Sequence, residues 1–248
     1  MRYTKPIAFS VFLTIFLCTY SVGQNKHGNS FYTKVKNYDL SSVFMPDSIT
    51  DDANDRHKRP EPLGYIDPDY QRFQIHLTSI SKSESNPYVY QITGKTKVKE
   101  NICRFKGTIT IVAADYDSSS LMEDIGFPQY KQGLIVGQVQ IEEDKTQAGS
   151  GVIKGKILTD VYFDSKDRIH YSALMLIADG FSNNQVEGSW TSYKTGKTKR
   201  CNWGDFRIPD SRDLDFGTGE FSVNPKYKQN GWADYNYGNN EVEWWVKE

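Results

Sequence analysis

Asp210, Asp213, Asp215 and Glu220 fall within one short stretch interrupted by Arg212, Gly217 and Gly219. Several carboxylates on a flexible loop are what a hard cation such as calcium requires, so these four are the candidate metal ligands. Their spacing departs from the calcium loop of a helical hand, and the competing reading is a surface loop in which Arg207 and Arg212 pair with the acids. Two carboxylates at the right separation would also serve glycoside hydrolysis, one as acid and one as base or nucleophile, but nothing in the spacing sets that separation.

The second chemistry-bearing group is aromatic. Trp203, Trp232, Trp244 and Trp245, with Tyr227, Tyr235 and Tyr237, crowd the last fifth of the chain beside Asn, Asp and Arg. Flat rings next to hydrogen-bonding groups suit a sugar or another flat ligand, and they equally suit sealing a barrel end. The candidate ligand contacts are Trp203, Arg207, Tyr227, Trp232 and Trp244. Trp244 and Trp245 are adjacent, so in an extended tail they face opposite sides and only one turns fully inward.

Other chemistry is weakly encoded. Gly196-Lys197-Thr198 lacks the spaced upstream glycine of a phosphate-binding loop and leads into a strand rather than a helix. His170 and Ser172 share a face, with no nucleophile turn or orienting acid to make a catalytic pair. His76 and His170 alternate against inward residues and belong to the wetter face. Cys103 and Cys201 either pair or remain separate buried thiols, and neither has a short-spaced partner for zinc.

These residues must be positioned by strands. Phe73, Ile75 and Leu77 alternate with Gln74, His76 and Thr78, and the same period of two returns around Tyr88–Ile92, Phe105–Ala113, Ile135–Ile141, Ile153–Phe163, Ile169–Ile177 and Val186–Trp190. Short links rich in turn formers join most of them, which requires antiparallel neighbours. In 114–133, Ser119 or Ser120 could cap one helical turn ending at Gly126 and Pro128, within a surface loop or a lid. Gly107, Gly137, Gly155 and Gly188 each stand between two inward apolar residues. Glycine weakens a strand, so its repeated use implies strong curvature. The expected fold is all-β: an antiparallel meander forming a closed or nearly closed barrel, with a β-sandwich as the alternative.

The expected organisation is a signal peptide over 1–23, a polar, partly extended leader over 24–69, and a single all-β domain over 70–248. Phe31, Tyr32, Val35, Tyr38, Leu40, Val43 and Phe44 give the leader residues able to dock, and the Arg56-His57-Lys58-Arg59 cluster, surrounded by acids, reads as a solvated face. Arg2 and Lys5, the apolar run from Ile7 to Leu17 and the small residues before Gln24 have the order of an exported leader, and the run is too short to span a bilayer. Leu17 before Cys18 disfavours a lipid anchor there. The chain has 30 basic and 31 acidic residues, 38% hydrophobic and 14% aromatic content. Loss of Arg2 and Lys5 makes the mature chain slightly more acidic, which disfavours a nucleic-acid partner. No transmembrane segment is expected.

Val186-Glu-Gly188-Ser-Trp190 resembles the glycine and tryptophan strand of lipocalin-like barrels, although the usual pattern places that pair before the first barrel strand. With its leader and aromatic carboxy-terminal half, the chain resembles exported proteins common in Bacteroidota. That resemblance implies a periplasmic or extracellular location and no catalytic residues. The expected function is a non-catalytic barrel that binds a small hydrophobic molecule, a glycan or another envelope component. The alternatives are a structural or protein-interaction domain and a secreted glycan hydrolase. No cofactor is expected beyond the calcium raised by the acidic loop.

Overall fold

Alternation along the chain becomes a wall with a dry inner face. The computed structural model describes residues 29–236 and 243–246. Its strands are β1 (Ser48–Thr50), β2 (Arg56–Lys58), β3 (Leu63–Ile66), β4 (Gln71–Lys82), β5 (Val89–Val98), β6 (Asn101–Tyr116), β7 (Lys131–Glu143), β8 (Gly151–Phe163), β9 (Ile169–Tyr171), β10 (Asn183–Ser192) and β11 (Thr198–Asp205). From β3 to β8 each strand pairs antiparallel with the next; β8 pairs with β10, β10 with β11, and β11 returns to β3. The result is a closed eight-stranded barrel with β9 as one extra strand on β8. Closure decides between barrel and sandwich.

Curvature explains the in-strand glycines. A methyl group placed on Gly137 would lie 2.8 Å from Ile157 Cγ2 and 3.1 Å from Ile109 Cγ2, so any side chain there would drive into inward neighbours. The helical turn expected in the long loop is present at Leu121–Asp124. Among the described residues no helix is long and apolar enough to cross a membrane.

The fold begins earlier than Tyr70. β3 lies within the expected leader and is the strand that closes the barrel. Phe31, Val35, Leu40, Val43 and Phe44 are all buried in the main core, where a 3-10 helix (Tyr32–Asn37) and α1 (Ser41–Phe44) stop one end of the barrel. Phe31 meets Phe163 edge-on at 5.0 Å, and the Leu40 backbone N–H donates to Tyr90 Oη at 3.0 Å. Apolar residues spaced for short helical turns show no period of two, yet they fill a barrel end.

The expected strand over 169–177 is cut short, with turns in place of its second half. β9 ends at Tyr171 because β10 occupies β8 from Gly151 to Leu158, leaving only Val161–Phe163. Asn183 bridges the interruption: Asp160 N donates to its Oδ1 at 2.8 Å, and its Nδ2 donates to Asp160 O at 2.9 Å.

A second apolar layer covers the closing seam from outside. Ile208, Leu214, Phe221, Val223 and Trp232 pack on Leu63 and Tyr65 of β3.

Candidate functional site

β10 and β11 place four inward side chains together: Asn184 and Val186 on one strand, Trp203 and Asp205 on the other, with Val186 opposite Trp203. Around the barrel from β4 to β8, Ile75, Ile92, Ile109, Val139, Ile141 and Ile157 form the rest of an apolar wall, with Ile157 directly opposite Val186. An eight-stranded barrel is just wide enough for side chains to fill it. Short branched residues leave space, and the cavity measures about 580 Å³.

The cavity reaches the surface where β3 is short. β3 pairs with β4 only at Tyr65–Arg72 and Ile66–Gln71, so beyond Phe73 no strand among the described residues flanks β4 on that side. Arg59, Glu61 and Pro62 cross this gap, and the exposed Asp47, Lys58 and Thr78 mark the mouth. His76, on the outer face as its alternation predicts, approaches Glu61 with Nδ1 3.0 Å from Oε2. Trp245 stacks on His76 at 4.1 Å with planes 6° apart and borders the same mouth.

One end of the cavity is polar. Asp205, 0% exposed, accepts from Arg59 Nε at 3.0 Å and Arg59 Nη2 at 2.6 Å, from Tyr171 Oη at 3.1 Å and from Asn184 Nδ2 at 3.0 Å. Asn184 Oδ1 in turn accepts from Thr159 Oγ1 at 2.8 Å, while its Nδ2 also contacts the carbonyls of Val43 and Phe44. Burial works against the Arg59 charge, but the adjacent Asp205 carboxylate outweighs it and the Arg59 pKa is raised. Burial, reinforced by the Asp205 charge, likewise raises the Tyr171 pKa. Arg59 and Tyr171 hold their protons, and the carboxylate takes four donors, three of them on Oδ2. The arrangement suits fixed hydrogen bonding better than proton transfer.

No protein-family model, curated protein or solved structure matches the chain.

Of the five residues expected to contact a ligand, only Trp203 lines the cavity. Trp244 is buried in a 3-10 turn (Trp244–Val246), and its neighbour Trp245 takes the position at the mouth. Trp232 is buried in the outer layer, with Nε1 donating to Tyr70 O at 2.8 Å. Tyr227 packs edge-on against Tyr70 at 4.8 Å and donates to Asp213. Arg207 is committed to Asp215 and to the carbonyls of Gly217, Thr218 and Gly219. Tyr237 lies outside the described residues, as do the leader over 1–23 and Cys18.

The acidic group is dispersed over separate partners. Asp210 accepts from Arg200 and Arg212, Asp213 pairs with Lys226, and Asp215 takes Arg207 and the backbone N–H groups of Gly217 and Ser222. Among the described residues no three His, Cys, Asp or Glu side chains, Glu220 included, group to hold a metal. Arg207 and Arg212 do pair with the acids, as the surface-loop reading expects. Cys103 and Cys201 are free and buried; burial first, then the Glu143 charge, pushes the Cys103 thiol to about 11.

The polar end escaped sequence reasoning. The signal that could have found it is that Asp205 falls two residues beyond Trp203 and four beyond Cys201, on the same face of a strand. Its partner Arg59 is 146 positions away, in a cluster that reads locally as a solvated face.

Proposed function

We propose that this protein is an exported, non-catalytic barrel that binds a small, largely apolar molecule in its interior. The observation that carries the reading is the cavity of about 580 Å³, walled by branched aliphatic side chains and Trp203, with a few convergent polar groups at one end. Its apolar wall favours a small hydrophobic molecule over a glycan, whose hydroxyls would lose water there without replacement partners. A purely structural or protein-interaction barrel calls for a filled interior, and the interior has space. Export rests on Arg2, Lys5 and the apolar run that follows them.

The test is titration with Nile red, an apolar dye whose emission rises in a dry site. Saturable binding is expected, weakened by about tenfold or more in Ile109→Phe, which fills the cavity. Ile177→Phe, at a position 79% exposed, should leave it unchanged. Equal binding by all three proteins would remove the interior as the site.

A further inference from the structure

The polar end of the cavity offers donors from one residue alone. A guanidinium carries five N–H groups. Arg59 uses Nε and Nη2 on Asp205, while its Nη1 donates to no protein group among the described residues. The side chain is 11% exposed and lines the cavity. Its neighbours have no donor left to offer: Tyr171 gives its proton to Asp205, and the Asn184 amide N–H groups go to Asp205 and to the carbonyls of Val43 and Phe44. A ligand reaching this end therefore meets unsatisfied donors on Arg59 alone, beside a carboxylate that already takes four hydrogen bonds.

Charge then narrows the class. Lys58 and Arg59 bring two positive charges to the lining, and Asp47, Glu61 and Asp205 bring three negative ones. The Arg59 charge is already matched by a buried carboxylate 2.6 Å away. An anionic head would add a negative charge beside Asp205 in a dry site, where repulsion is poorly screened. A neutral oxygen acceptor carries no such cost and still satisfies the N–H edge.

We infer that the cavity selects an uncharged, largely apolar molecule with a carbonyl-type oxygen at one end, and that the free edge of Arg59 is the specificity-determining group. This rests on the interior-binding reading above and adds the ligand class to it.

Three molecules of nearly equal shape test it by displacing Nile red: 2-ethylnaphthalene, 2-acetylnaphthalene and 2-naphthoate. The acetyl compound should bind about tenfold or more tightly than the ethyl compound, because a hydrogen bond to a charged donor is gained, and more tightly than the carboxylate. Equal binding of the acetyl and ethyl compounds, or tightest binding of naphthoate, overturns the inference while leaving interior binding intact. Failure of Nile red to bind overturns both. Arg59→Lys keeps a positive charge for Asp205 but removes the second edge, so the ratio of acetyl to ethyl affinity should fall to near parity; a retained preference overturns the assignment. Should this variant fail to fold, the three-compound series on the unaltered protein still decides.

Discussion

Asp205 is fully buried and charged, and what makes that tolerable is the set of donors around it, above all the bidentate Arg59. Removing one partner of a buried pair strands the other charge, so Asp205→Ala should cost about 3–5 kcal/mol in urea denaturation. Asp210, which meets Arg200 and Arg212 near solvent, gives the contrast: Asp210→Ala should cost less than about 1 kcal/mol. Asp164 supplies a pH test. Burial pushes its carboxyl up, but Arg168, His170 and nearby backbone N–H groups outweigh that and hold its pKa well below the usual carboxylate value. A depressed pKa stabilises the fold fully above the unfolded value of about 4, and the contribution is lost progressively as pH falls from there toward the lower folded value. The difference in denaturation midpoint between the native protein and Asp164→Asn should therefore shrink below about pH 4; a constant difference would contradict the assigned role. At this scale Trp203 stood out only as an aromatic beside polar residues, and its place in the cavity follows from the pairing of β11 with β10 and β3. Trp245 was not distinguishable from Trp244, because a 3-10 turn rather than an extended tail sets their directions.

Elements were legible where they repeat. Strands β4 to β8 announce themselves by alternation, and the glycines announce the bend. β3 has four residues, with Pro62 immediately before it and Pro68 shortly after, too few for a period to show. Its role is fixed by β11, far along the chain. β9 and β10 present the opposite case, since apolar alternation continues past Tyr171 while the sheet has no room for it. Asn183 replaces the missing backbone pairing there. Asn183→Ala should leave Asp160 N–H without its partner and cost about 1–3 kcal/mol. Hydrogen exchange should quicken at Asp160 and its neighbours first, and unchanged protection would show that the bridge is dispensable.

The whole molecule is dry inside and polar outside. Gln91, Thr93, Gln138, Gln140, Lys154 and Lys156 face outward from β5, β7 and β8, the reverse of the apolar outer band of a membrane barrel. Its two main cores lie on either side of the closing strand, Ile66 belonging to the inner one and Tyr65 to the outer. A strand shared in this way should make them unfold together. Far-UV circular dichroism and tryptophan emission should trace one denaturation curve, whereas an earlier emission change would show the outer layer leaving first.

Closure by β3 also dictates an order of events in time. The first barrel strand to be synthesised waits for the last, and Arg59 waits for Asp205, 146 positions later. Until β11 exists, β4 to β8 can pair in succession through local connections, the longest of them the loop between β6 and β7, but the ring stays open and its interior remains in contact with water. Such distant pairing closes slowly, because the chain surrenders its freedom before the reward arrives. The ribosome thus holds an unfinished sheet until most of the polypeptide has been made, and the interior cavity is enclosed only with the final strand.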